Sequence, residues 1–196
     1  MVKQKAKHMR RLWTILLVPT ALLAAAAPTI RDLGGSLLNP FKPGGAANVL
    51  FFITSDCPIS NGYAPEIQRL CAEYERRGVR CTLLYEDVGI DRRSAQKHLD
   101  EFRYRGIPAA IDADRKIAKH AKATVTPEAA VVDSKGEIRY RGRINNFYAD
   151  LGKPRQQITQ HDLADALNAV LTGKPAPNPQ TQAFGCYIVS PELLKQ

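Results

Sequence analysis

The residue best placed to do chemistry is Cys57, within Phe52-Ile53-Thr54-Ser55-Asp56-Cys57-Pro58-Ile59-Ser60. It follows an apolar run of strand length and opens a segment with helical spacing, which puts it at a helix's first turn. Unpaired main-chain N–H groups and the helix dipole favour an anion there, and a thiol so placed falls below its free pKa of about 8.5 and becomes a thiolate nucleophile. Pro58 suits the first helical position, where its missing N–H would have had no partner. A buried, inert cysteine is the alternative for Cys57. Position 60 is a serine, so there is no Cys-x-x-Cys dithiol. Ser60 can donate a hydrogen bond to a thiolate but cannot form a disulfide; polar filling of a helix start explains it equally well.

Three further cysteines are present. Cys186 follows Gly185 in a tail marked by Pro175, Pro177 and Pro179, where a thiol is exposed and reachable. It can resolve Cys57, form a structural tether or make an intermolecular contact. Cys71 belongs to the apolar face of the helix after Cys57, and Cys81 to the next strand; a disulfide between them and simple packing both fit. His98, His120 and His161 are expected as solvated helix residues.

Alternating elements position these groups. Val49–Ile53 is a continuous apolar run, the pattern of a strand buried on both faces. From Cys57 to Arg77, the apolar residues Tyr63, Ile67, Leu70, Cys71 and Tyr74 share one helical face. Val79–Tyr85 reads as the second strand. A helix follows over Arg92–Phe102, then an extended piece over Ile107–Ile111 and a brief helix over Arg115–Ala121. Glu128–Val132 and Glu137–Arg141 flank the turn Asp133-Ser134-Lys135-Gly136. A loop over Arg143–Gln160 leads to a last helix, His161–Leu171. The order predicts an α/β fold whose central mixed sheet contains a βαβ unit and a C-terminal β-hairpin plus helix, with helices on both faces.

Before the domain, Lys3, Lys5, Lys7, Arg10 and Arg11 precede the apolar run Leu12–Ala26, the layout of a secretory signal peptide with cleavage near Ala26, or of an uncleaved anchor. Five of the 28 Lys and Arg residues lie there, so the formal charge of +9 falls to +4, with 23 basic against 19 acidic residues remaining. No basic stripe with interleaved aromatics remains to meet a nucleic acid. The expected organisation is a leader over 1–26, a Gly/Pro/Ala-rich linker over 27–47, one domain over 48–172 and a Pro-rich tail over 173–196. Export to the periplasm or outside the cell, with a membrane contact only if the leader stays, permits disulfides.

From about Asn48 to Leu171 the chain resembles the thioredoxin-like superfamily, in particular exported redoxins of the peroxiredoxin type (AhpC/TSA-like). Three stretches carry the resemblance: Asp56-Cys57-Pro58-Ile59-Ser60-Asn61 with Tyr63-Ala64-Pro65-Glu66-Ile67, Thr124-Val125-Thr126-Pro127-Glu128, and Asp133-Ser134-Lys135-Gly136-Glu137-Ile138 with Tyr140-Arg141-Gly142-Arg143. It implies a thioredoxin-like fold, a cis bond at Pro127 beside Cys57, and main-chain groups at Thr126 and Pro127 available to an extended substrate. Ser60 stands at the second thioredoxin cysteine. Thr54 matches the peroxiredoxin threonine three residues before the reactive cysteine, whereas Leu50 replaces the upstream proline. Arg141 and Arg143 are expected as solvated strand-end charges. Gly185-Cys186-Tyr187-Ile188 is similar to the ending of some exported redoxin-like sequences. Copper-handling relatives use Cys-x-x-x-Cys, and Asn61 leaves that ligand set incomplete. The resemblance implies an extracytoplasmic thiol oxidoreductase, acting by thiol–disulfide exchange or peroxide reduction, with Cys57, Cys186, Thr54 and Ser60 in the reacting set. Its partners would be a thiol or disulfide protein, or a peroxide, and a reductant, with no cofactor or metal. The alternative is an interaction module that has lost dithiol catalysis and holds a partner in the groove beside Pro127, a role the Ser60 replacement favours.

Overall fold

The computed structural model describes residues 27–42 and 44–190. The expected leader over 1–26 and the end of the tail lie outside them. The segment expected as a linker is part of the fold: β1 (Ile30–Arg31) and β2 (Leu37–Leu38) form an antiparallel hairpin, and Ile30 and Phe41 are buried. Two large apolar side chains within a Gly/Pro-rich stretch give it something to bury, and they hold it on the sheet.

The apolar run becomes β3 (Ala47–Ile53), buried along its whole length. The single helix expected from Cys57 is divided into α1 (Pro58–Gly62) and α2 (Ala64–Glu75). Pro65 has no N–H to continue the helical ladder, so it begins a new helix. Next come β4 (Val79–Tyr85), α3 (Arg92–Glu101), β5 (Ala109–Ile111), α4 (Lys116–Ala121), β6 (Val125–Thr126), β7 (Glu128–Asp133) and β8 (Ile138–Gly142). The expected loop after β8 holds a small hairpin of β9 (Tyr148–Asp150) and β10 (Lys153–Pro154), and α5 (Asp162–Leu171) follows. The tail adds β11 (Cys186–Tyr187).

The central sheet has the order β5-β4-β3-β7-β8. β3 pairs in parallel with β4, and β4 with β5, while β7 runs antiparallel to both β3 and β8. This is the mixed sheet with βαβ unit and hairpin that the element order predicts. One face carries Val49, Phe51 and Ile53 against Ile67 and Leu70 of α2, Leu99 of α3 and Leu163 and Leu167 of α5. Alternate residues of the same strands, Leu50, Phe52 and Leu84, meet Ile117 and Ala118 of α4 together with Ile30 and Phe41 on the other face. Among the described residues no helix is long and apolar enough to cross a membrane.

Cys71 on α2 and Cys81 on β4, ten positions apart in sequence, form a disulfide with Cα atoms 5.9 Å apart. It ties α2, the helix that crosses between β3 and β4, to the strand that follows. Replacing both cysteines by alanine is predicted to destabilise the domain by about 2–3 kcal/mol, read as a lower urea midpoint. An unchanged midpoint would mean that the α2–β4 packing holds without the bridge.

Candidate active site

β3 delivers the chain to Cys57 at the end of the sheet, and the first turn of α1 starts there with Pro58. Cys57 is a buried free thiol and Cys186 an exposed one, and their sulfurs are 2.6 Å apart. That is shorter than an unbonded sulfur contact and longer than the disulfide length of about 2.05 Å. The tail that carries Cys186 is tied to the domain along its length. Thr181 N donates to Arg141 O at 3.1 Å, Arg141 N donates to Pro179 O at 3.0 Å, and Ile188 N donates to Thr124 O at 2.9 Å. Between these points β11 pairs antiparallel with β6, Cys186 opposite Thr126. Two glycines permit the close approach. A Cβ on Gly142, whose φ is +152°, would overlap Thr181, and a Cβ on Gly185 would overlap Thr126 O.

The Thr126–Pro127 bond is cis, and Thr126 O faces the Cys57 sulfur at 3.4 Å. Burial works against the Cys57 thiolate. The S–H of Cys186 and the main-chain N–H groups of Ser60, Cys186 and Ile59 outweigh it, and the thiol lies below its ordinary value. Cys186 moves the other way. Burial, its hydrogen bond to Cys57 and the negative charges of Cys57 and Asp56 push it up to about 12. The arrangement therefore favours Cys57 as thiolate and Cys186 as its protonated donor.

Ser60 is buried, and its hydroxyl accepts from Thr54 N at 3.5 Å. Thr54 turns its hydroxyl to that of Thr126, 2.9 Å away, and Thr126 Oγ1 also lies 3.4 Å from Cys186 O. Thr54, Ser60, Thr126, Pro127 and both cysteines are thus brought together, with the three hydroxyls bonded to one another or to main chain. Arg141 and Arg143 are not solvated strand-end charges. Arg141 pairs with the buried Glu128 at 2.7 Å, and Arg143 with Asp162 at 2.7 Å. Nor is His98 solvated: it is buried and hydrogen-bonded at both ring nitrogens. His120 packs on Phe41, with ring centroids 4.3 Å apart, and His161 precedes α5. Among the described residues no three His, Cys, Asp or Glu side chains group as metal ligands.

Several residues at the site gave no distinct sequence signal. Glu128 accepts from Thr124 N at 2.8 Å and Val125 N at 3.4 Å, and so fixes the segment that enters the cis bond. A groove of about 530 Å³ runs past the pair, lined by Thr54, Asp56, Glu86, Asp87, Ser94 and Cys186. Glu86 is buried there with neither oxygen matched to a donor, and Asp112 Oδ1 is unmatched too. Arg115 lies 3.5 Å from Glu86 but gives its closer hydrogen bonds to the carbonyls of Asp112, Asp87 and Val189. Burial first, and the charge of Asp112 second, push Glu86 up to about 9, so it holds a proton at neutral pH.

That proton ties stability to pH. Between the unfolded value of about 4.3 and the folded value, the native state keeps a proton that the unfolded chain releases, so Glu86 makes the fold less stable as pH rises. Glu86→Gln is predicted to leave the melting temperature nearly unchanged at pH 4 and to raise it at pH 8. A lower melting temperature at pH 8 would mean that Glu86 is ionised and needed as the partner of Arg115.

The AhpC/TSA family model matches residues 37–141, more than half of the chain. No curated protein matches it in sequence. Among solved structures, it is similar to a conserved protein of Geobacillus kaustophilus at 24% identity and a TM-score of 0.72, over 84% of this chain and 90% of that one. A Sinorhizobium meliloti protein is similar at 24% identity and a TM-score of 0.71, over 84% of this chain and 91% of that one. A thioredoxin-like protein of Aeropyrum pernix, 12% identical with a TM-score of 0.52, covers 59% of this chain and 80% of its own. These three likenesses show the fold. Taken with the family match and the thiols at the end of the thioredoxin-like sheet, they lead to one conclusion: the chain belongs to the AhpC/TSA family, and at that level it is a thiol oxidoreductase.

Proposed function

We propose that Cys57 is the nucleophile and Cys186 the resolving thiol of an extracytoplasmic oxidoreductase that cycles between a dithiol and a Cys57–Cys186 disulfide. The observation that carries this reading is the 2.6 Å contact between two free sulfurs, held by strand pairing and not by chance proximity of a loose tail. Cys186 supplies from the far end of the chain the second thiol that Ser60 does not.

With a peroxide, the Cys57 thiolate attacks one oxygen, the O–O bond breaks, and the leaving alkoxide takes a proton and departs as an alcohol or water. Cys57 is then a sulfenic acid; Cys186 attacks its sulfur, the hydroxyl leaves as water, and the disulfide forms. With a disulfide substrate, the thiolate forms a mixed disulfide and Cys186 displaces the substrate's remaining sulfur as a thiol. An external dithiol returns two electrons in either case. Thr54, Ser60, Thr126 and Pro127 act by bracing the main chain around the sulfurs. The interaction-module alternative needs the edge beside Pro127, which the chain's own Cys186–Tyr187 fills.

Export rests on the basic and then apolar start of the sequence, read as a leader ending near Ala26, and it accords with the Cys71–Cys81 bridge, which an oxidising compartment preserves. The domain begins near residue 27, because the 27–47 segment packs on the sheet, and the tail belongs to the site.

Cys57→Ser is predicted to abolish turnover of peroxide and of disulfide. Cys186→Ser keeps the first attack but stops the cycle, so sulfenic acid accumulates and is trapped by a dimedone probe. Unchanged turnover in Cys57→Ser would sink the assignment. Gly185→Ala forces Cys186 off Thr126, and the rate of disulfide closure should fall at least tenfold while the first attack on peroxide persists. Closure at the normal rate in that variant would mean that strand pairing does not set the sulfur contact.

A further inference from the structure

Cys57 is held through its carbonyl, which accepts from Asn61 N at 2.9 Å, at the start of α1, a helix of only five residues. Its last turn is anchored from outside by a buried relay. Asn61 Nδ2 donates to Ser55 O at 2.9 Å, closing the loop that carries Cys57 between them. That fixes which way the Asn61 amide faces, so its Oδ1 is the atom 2.9 Å from His98 Nε2. A carbonyl oxygen only accepts, hence the His98 proton sits on Nε2. The bare Nδ1 then accepts the hydroxyl hydrogen of Tyr85 at 2.8 Å. Tyr85 lies at the end of β4, and His98 is buried on α3 between the rings of Tyr85, Phe102 and Tyr104. The Tyr85 hydroxyl also lies 3.2 Å from Ala95 O, farther than Nδ1, and the chain of bonds runs from the rigid sheet to the loop. The loop is held again from its other side: Ser55 donates its N–H to Asp87 Oδ1 at 2.8 Å, and its hydroxyl donates to the same oxygen.

We propose that His98, acting through Asn61, is a positioning residue that holds the Ser55–Asn61 loop, and with it Cys57, in place at the end of β3 beside Cys186. The inference rests on Cys57 being the nucleophile. His98 touches no sulfur, and its effect reaches the thiol only through the loop. Burial keeps its imidazole neutral against the pull of Asp87 and Glu101, which suits the single tautomer the relay needs. A histidine placed only to fill the core would make no such demand on Asn61. A structural histidine alters stability, whereas a positioning one alters the thiol's acidity.

The test is alkylation of the full chain by iodoacetamide at a series of pH values, with the Cys57 peptide followed by mass spectrometry so that Cys186 is counted separately. His98→Ala should raise the pH midpoint of Cys57 alkylation by about one unit, roughly tenfold less thiolate near neutral pH. His98→Gln, whose amide nitrogen can replace Nε2 as the donor to Asn61, should restore most of it. Asn61→Ala should give the same rise as His98→Ala, and the double variant no further rise, because both break one relay. A lower melting temperature in His98→Ala with an unmoved midpoint overturns the proposal. So does a double variant whose shift is the sum of the two. If His98→Ala does not fold, Asn61→Ala decides alone: that position is at the end of α1 and partly exposed, and an unmoved midpoint there is also a refutation. A wild-type midpoint at the ordinary thiol value is a different result; it removes Cys57 as an activated nucleophile and takes this inference with it.

Discussion

The site hangs on one short antiparallel ladder, the pairing of Cys186–Tyr187 with Val125–Thr126. Two residues of strand are little by themselves, and the ladder survives because both of its sides are held elsewhere. Glu128, fixed by Arg141, pins the Thr124–Thr126 side. On the tail side, Pro179 and Thr181 bond to Arg141, and Arg115 reaches Val189 O at 3.2 Å. Arg141 therefore takes part twice, by its side chain at the entrance to the cis bond and by its main chain at the root of the tail. Residues 129 positions apart in sequence are brought into sulfur contact without any turn between them that could do it locally.

The two thiols are chemically unequal, and the inequality has a physical source. Cys57 is drawn below its ordinary value against its own burial, whereas Cys186 is pushed up by burial first and then by its hydrogen bond to Cys57 and the negative charges of Cys57 and Asp56. One proton shared between two sulfurs goes to the one that has no other donors. The order of events, attack by Cys57 and closure by Cys186, follows from that division. Burial of Glu86 keeps one further negative charge off this end of the sheet at neutral pH.

Much of this was legible in the sequence. The continuous apolar run at Val49–Ile53 and the spacing of Ile67, Leu70 and Tyr74 fix a buried strand and the helix that covers it, and Val79–Tyr85 is a strand with the same bounds in both readings. The two-residue strands were not legible, because their order comes from long-range pairing and leaves no period of its own. The 27–47 segment misled through its glycines and prolines, although Ile30 and Phe41 were the anchors. His98 could not be told from a solvated helix residue, since a polar side chain in an amphipathic pattern reveals its partner only in space. The ion pairs of Arg141 and Arg143 were hidden for the same reason: Glu128 and Asp162 lie 13 and 19 residues away. A signal for the tail did exist, in Gly185 directly before a cysteine, but the glycine's meaning depends on Thr126 O lying where its side chain would be.

If Cys57 and Cys186 form one redox pair, non-reducing peptide mapping of the protein, first with both thiols reduced and again after one equivalent of hydrogen peroxide, will show a new Cys57–Cys186 linkage after peroxide, with Cys71–Cys81 bridged in the untreated protein. Cys57 recovered as an unmodified thiol with Cys186 still free would contradict it, and would leave the contact between the two sulfurs without a chemical role.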